Sequence, residues 1–170
     1  PEAKVKEEMD WDFRKEISVS NVCYHYPDAE EMVIDKASFT SPKGKTVAFI
    51  GPSGAGKTTM VDIILGLLQP QYGKVLADDL NIHKHPYVWQ KELGYIPQVI
   101  YLSDDTIRNN IAFGIEPDEI DESAIEQALK KAQLYEFVEN LPEGLDTVVG
   151  DRGVRLSGGQ LQRVSVARAL

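Results

Sequence analysis

Residues 51 to 59 read GPSGAGKTT. The run before them, TVAFI at 46 to 50, is continuously apolar, as expected of a strand buried on both faces of a parallel sheet. After them Met60, Ile63, Ile64 and Leu67 recur at helical spacing, which predicts a helix packing back on that sheet. Gly51 to Thr58 fits G-x-x-x-x-G-K-[ST] in the strand–loop–helix context that the pattern requires. A triphosphate carries several negative charges and must be met by many donors with few bulky side chains in the way. Gly51, Gly54 and Gly56 are expected to take positive φ and turn backbone N–H groups inward, with Pro52, Ser53 and Ala55 completing the loop. The helix opening at Gly56 and Lys57 adds unpaired N–H groups and the positive end of its dipole. Lys57 supplies a full charge for the outer phosphates, and the hydroxyl of Thr58, followed by Thr59, suits Mg²⁺. The stretch therefore predicts a nucleoside triphosphate site. No N-K-x-D base-reading motif of a GTPase accompanies it.

A second glycine stretch, LSGGQ, occupies 156 to 160. Ser157 and Gln160 make an S-x-x-Q capping box for a helix continuing through QLQRVSVARAL. Taken alone, this is equally well read as nothing more than a capped helix. Yet Gly158 and Gly159 at the first helical positions cost roughly 1 kcal/mol each relative to alanine. What they offer is an approachable helix N-terminus, a second anion site. One triphosphate has no obvious need of two such sites in one chain.

With 170 residues the chain fits one domain, able to bury roughly two-thirds of its unfolded surface. Its 42% hydrophobic and 26% charged content is that of a globular protein. A net charge of −9, from 27 acidic and 18 basic residues, disfavours a nucleic-acid partner, which calls for a basic face. The single cysteine, Cys23, forbids an internal disulfide framework and reads as a small buried hydrophobe in a strand. The N-terminal PEAKVKEEMDWDF has no apolar signal-peptide region. The longest apolar stretch, MVDIILGLL at 60 to 68, is too short for a membrane span and is broken by Asp62.

Residues 1 to 16 are mostly charged and aperiodic, so they read as a linker. From Ile17 a strand is predicted, with Val22, Tyr24 and Tyr26 alternating toward one face until Pro27. A second strand covers about 33 to 41. Two short strands flank Asp78 and Asp79 within GKVLADDLNI, and a short helix near Tyr87 to Glu92 precedes a strand in GYIPQ, 94 to 98. The stretch from about 104 to 141 is predominantly helical, with Gly114 as a stop and Asp121 as the cap of a helix whose apolar face is Ile125, Ala128, Leu129 and Ala132. His25, His83 and His85 read as surface or turn residues.

These residues carry a resemblance. From Ile17 onward the chain resembles the nucleotide-binding domain of an ATP-binding-cassette (ABC) transporter, in which LSGGQ is the signature motif. The resemblance implies an α/β fold: a P-loop NTPase core with a RecA-like parallel sheet, an N-terminal antiparallel β subdomain, and a helical subdomain at 99–158 within a domain of 17–170. It also answers why there are two cradles. Each chain of a head-to-tail dimer would hold ATP on Gly51 to Thr59 and close its partner's site with Ser157, Gly158, Gly159 and Gln160. YHYP puts Tyr26 where the family stacks an aromatic ring on adenine. YIPQ puts Gln98 at the position that touches Mg²⁺ and the attacking water and senses the transmembrane partner. TVVGDRG at 147 to 153 and TIRNNIAFG at 106 to 114 resemble exporter patterns, which implies a lipid, glycan or peptide exporter or flippase at the cytoplasmic face of the inner membrane, with 1–16 leading from a membrane domain in the same polypeptide.

Leu161 departs from the basic residue that many members carry after the signature. The family's Walker B strand, with its metal-binding Asp and catalytic Glu, and its switch histidine would follow the signature helix and are not among these residues. The 170-residue stretch alone is therefore expected to bind Mg-ATP weakly without turnover and to expose an apolar sheet edge. A soluble ABC-type ATPase and an ATP-binding module without hydrolysis are the alternative readings.

Overall fold

The structure is a computed structural model that describes residues 9–29 and 31–170. The chain divides into two compact units, 1–93 and 94–170.

The first unit is built on an antiparallel sheet in the order β2-β1-β3-β4. Its strands are β1 (Glu16–Tyr24), β2 (Ile34–Pro42), β3 (Tyr72–Ala77) and β4 (Leu80–Asn81). β1 is not the simple alternating strand expected from its pattern. Asn21 adopts φ 46 and the register slips between Val19 and Val22 on one side and between Ser20 and Cys23 on the other. This bulge turns three consecutive residues, Val22, Cys23 and Tyr24, into the interior. It also brings the Asn21 and Ser20 carbonyls so close to Gly73 that a Cβ there would collide with both. A glycine is thus required opposite the bulge.

Helix α1 (Lys57–Ile64) lays Met60 and Ile63 on Val19, Val22, Val75 and Ile82, and helix α2 (Pro86–Gln90) adds Val88 and Trp89 to the same core. α1 ends earlier than its apolar spacing suggests. Gly66 turns left-handed at φ 75 and Leu67 is 60% exposed. The arm is fastened over its second half: Trp11 and Phe13 meet the ring of Trp89 edge-on at 6.3 and 5.9 Å. Residues 1–8 of the expected linker lie outside the described residues.

The run expected to form a parallel strand, 46–50, and the strand expected in 94–98 join no ladder among the described residues. A run becomes a strand only when a neighbour answers its N–H and C=O groups. Here Ile50 is 94% exposed, while Phe49 packs on Phe39 with ring centres 5.5 Å apart.

The second unit is helical around one core of Leu102, Ile107, Leu129, Leu134, Val149 and Val164. Its helices are α3 (Ile107–Ile111), α4 (Glu122–Lys131), α5 (Tyr135–Glu139) and α6 (Gly158–Arg168). Asp121 caps α4 by accepting from the N–H groups of Ser123 and Ala124, and Ile125, Ala128, Leu129 and Ala132 are buried. No helix among the described residues is long and apolar enough to cross a membrane.

Candidate functional site

The glycine-rich loop of the first unit owes its shape to two left-handed residues, Gly54 at φ 82 and Gly56 at φ 76. Gly56 is the N-cap of α1, and a Cβ on it would come within 2.8 Å of Ile34 Cδ1 and 2.9 Å of the Val33 carbonyl oxygen. Sheet and loop therefore meet at a point where only glycine fits. Gly51 does not share that conformation, contrary to the sequence expectation. Its contribution is space, since a Cβ there would stand 3.2 Å from that of Ala55.

Lys57 bends back over the loop and its Nζ donates to the carbonyls of Gly51 at 3.0 Å and Pro52 at 2.6 Å. An ammonium has three donors, so one remains for an anion at the loop mouth. Past the cap, Met60 N–H donates to the Gly56 carbonyl at 2.8 Å, whereas the N–H groups of Lys57, Thr58 and Thr59 meet no acceptor among the described residues. Three unpaired donors, a helix N-terminus and a lysine converge there, which is the chemistry of a polyphosphate cradle. The two threonines differ. Thr58 is exposed, while Thr59 is 5% exposed with its hydroxyl 3.0 Å from that of Tyr26.

Tyr26 is 42% exposed, so it is not a core aromatic, and its ring stands at 85° to Tyr24 with centres 5.2 Å apart. The segment carrying it is pinned by a residue that sequence reasoning missed. Gln71 Oε1 accepts from His25 N–H at 3.1 Å and its Nε2 donates to the His25 carbonyl at 2.9 Å. A lone glutamine 46 positions away offers no local signal of such a clasp. His83, read as a surface or turn residue, lies in a turn but is half-buried with its ring against the Leu68 carbonyl at 3.0 Å, and its burial holds its pKa below the ordinary value.

In the second unit Gln98 is exposed. The capping box at α6 is complete: Ser157 Oγ accepts from Gln160 N–H at 3.3 Å, and Gln160 Oε1 accepts from Ser157 N–H at 2.8 Å. A Cβ at Gly158 would meet nothing within 4 Å, and one at Gly159 would meet only an Arg163 nitrogen at 3.9 Å. Neither glycine is demanded by its own chain. Gly153, in the turn before, is the opposite case, because a Cβ there would press within 2.6 Å of Leu161.

At the far end of α6, Arg168 donates to the Asn110 carbonyl at 2.7 Å, the Asn110 side-chain oxygen at 3.0 Å and the Tyr101 carbonyl at 3.0 Å. Asn110 is fully buried and also bonds Ser103 and Thr106. Burial without a carboxylate partner lowers the Arg168 pKa. The network ties the signature helix to the chain that follows Gln98.

The domain model of the ABC transporter family matches residues 34–170. The ATP-dependent lipid A-core flippase of Cupriavidus metallidurans is 38% identical over 159 residues, covering 92% of this chain and 27% of that protein. The flippase of the same description from Coxiella burnetii is 40% identical over 158 residues, with the same two coverages. A solved bacterial Atm1-family ABC exporter with ATP bound superposes with a TM-score of 0.83 at 37% identity, over 92% of this chain and 27% of that one. The chain thus spans about a quarter of the length of these relatives. The glycine-rich loop at 51–59 and the helix opening after Ser157 lie within the matched region, and the chain belongs to the ABC transporter family.

Proposed function

We propose that this chain is the ATP-binding and ATP-hydrolysing domain of a membrane exporter or flippase, working at the cytoplasmic face as a head-to-tail dimer and coupled to a transmembrane domain. One observation carries the reading most directly. Gly158 and Gly159 weaken the start of α6, yet among the described residues a Cβ at Gly158 would meet nothing within 4 Å and one at Gly159 only an Arg163 nitrogen at 3.9 Å, so their small size serves something that approaches from outside. In a head-to-tail dimer that something is the γ-phosphate held by the opposite chain. The lipid A-core flippases and the Atm1-family exporter among the relatives favour export over import.

Each residue then has a task. Gly54, Gly56 and the first turn of α1 wrap the phosphates with N–H groups, Lys57 adds its charge, and Tyr26 stacks on the base. Thr58 and Gln98, both exposed residues, are the ones that the family resemblance assigns to Mg²⁺, which would be held mainly by phosphate oxygens and water. When bound, Mg²⁺ neutralises charge on the outer phosphates. In this reading 46–50 belongs to a RecA-like parallel sheet.

Ser157→Arg tests the reading in the full-length protein, in a background where hydrolysis is blocked. It should leave ATP binding by each chain intact while preventing the ATP-dependent closed dimer, as followed by light scattering. Closed dimers that persist in the variant would refute the two-cradle account.

A further inference from the structure

We infer that Thr59 is a positioning residue for base recognition: its hydroxyl holds the Tyr26 ring, and so fixes the base platform to the same helix turn that presents the phosphate donors. The inference rests on the proposal that Tyr26 stacks on the base. Its basis is the 3.0 Å contact between the two hydroxyls.

A threonine inside a helix ordinarily returns its hydroxyl to a carbonyl three or four residues back. For Thr59 those carbonyls belong to Gly56 and Ala55, and among the described residues neither receives it; Gly56 accepts instead from Met60 N–H. A helical threonine has two favoured χ1 rotamers, and the contact with Tyr26 selects the one that turns the hydroxyl away from those carbonyls. With Thr59 5% exposed, that hydroxyl points inward to Tyr26, in contrast to the exposed Thr58 beside it.

Tyr26 needs such a hold. It lies beyond the end of β1, is 42% exposed, and touches Tyr24 along one edge. An edge contact leaves a ring free to swing about its Cα–Cβ and Cβ–Cγ bonds. A second anchor at the phenol tip removes that freedom before the ligand arrives, which is preorganisation. The anchor sits two residues from Lys57, so the spacing between base platform and phosphate donors is set by one turn of α1.

The test uses the full-length protein, with binding of Mg-ATP and of inorganic tripolyphosphate measured by calorimetry. Tripolyphosphate reads the cradle without a base. Tyr26→Phe, which keeps the aromatic face, and Thr59→Val, which keeps the shape, should each weaken ATP roughly three- to tenfold, the worth of one neutral hydrogen bond. The double variant should be no weaker than either single one, Thr59→Ser should bind ATP as the parent does, and tripolyphosphate affinity should stay unchanged throughout. If Thr59→Val weakens tripolyphosphate as much as ATP, the hydroxyl serves the phosphates or the fold and the inference is overturned. If Tyr26→Phe, an exposed change that threatens no packing, binds ATP like the parent while Tyr26→Ala does not, the stack stands and the tether is wrong. If Tyr26→Ala also binds ATP like the parent, the stacking proposal fails and the tether with it.

Discussion

Replacing Gly56 by alanine should distort the glycine-rich loop directly. The residue sits at φ 76, ψ 10, where an L side chain costs about 1–2 kcal/mol. The new Cβ would also stand 2.8 Å from Ile34 Cδ1 and 2.9 Å from the Val33 carbonyl oxygen. Ile34 can shift, but Val33 N–H is already committed to the Tyr24 carbonyl at 2.8 Å, so the backbone there cannot simply retreat. Overpacking of this kind costs about 1–3 kcal/mol, which brings the total to roughly 2–5 kcal/mol. Both tryptophans, Trp11 and Trp89, lie in the first unit and pack on each other at 6.3 Å. Urea unfolding followed by tryptophan fluorescence therefore reports the unit that holds the cradle. Gly158→Ala supplies the opposite sign: open space and a helical site predict a gain of up to about 1 kcal/mol, seen by circular dichroism. A Gly56→Ala protein with the parent's fluorescence midpoint would refute the claim that the loop depends on this left-handed glycine.

Three further outcomes are expected. Lys57→Ala should weaken ATP binding by more than tenfold, because a charge-assisted contact to phosphate is lost; titration with a fluorescent ATP analogue checks it. Asp78 accepts the N–H groups of Arg14, Lys15 and Glu16 at 2.7, 2.8 and 2.9 Å. Desolvation pushes its pKa up, but the bonds from Glu16, Arg14 and Lys15 outweigh this and leave it below the ordinary carboxylate value. A depressed pKa means that the stabilisation is present above the unfolded value, near pH 4, and is lost as pH falls through the folded one. Asp78→Asn should therefore lower stability by about 1 kcal/mol at neutral pH, allowing for solvent screening, and flatten the acid side of the stability profile. Asn110→Ala should cost about 2–4 kcal/mol by circular dichroism, since it strips partners from the half-buried Arg168 and from Ser103 N–H.

How far the protein could be read from its sequence depended on how far apart the cooperating residues lie. The turn at Gly54 and Gly56, the Ser157–Gln160 capping box and the Asp121 cap were all legible, because each is a contract between residues within a few positions of one another. The strands from Ile17 and at about 33–41 followed from local pattern and turn signals, and α4 from its cap and apolar face, whereas the antiparallel pairing was implied only by the family resemblance. What escaped notice was non-local. Asp78 serves backbone donors more than 60 positions away, and Arg168 reaches Asn110 58 positions back. Gln71 clasps His25, and the bulge at Asn21 depends on Gly73, across strands that periodicity treats as independent. Leu67 misled for a related reason: it fits the helical period, but the left-handed Gly66 had already ended the helix.

The apolar run at 46–50 shows the limit of hydrophobic pattern as evidence. A continuous apolar run states that a segment is destined for burial on both faces, not which neighbours will bury it. Among the described residues Val47 and Phe49 line an apolar hollow of about 190 Å³ with Ile17, Phe39, Val61 and Ile64, yet no strand hydrogen-bonds to them. The glycines divide on the same principle. Gly56 and Gly153 are explained by what lies against them within their own unit, so their chain is sufficient reason for them. Among the described residues a Cβ at Gly158 would meet nothing within 4 Å and one at Gly159 only an Arg163 nitrogen at 3.9 Å, so packing within the unit gives no reason for either. Identical residues in two similar-looking motifs thus meet different surroundings, one tightly packed and the other open.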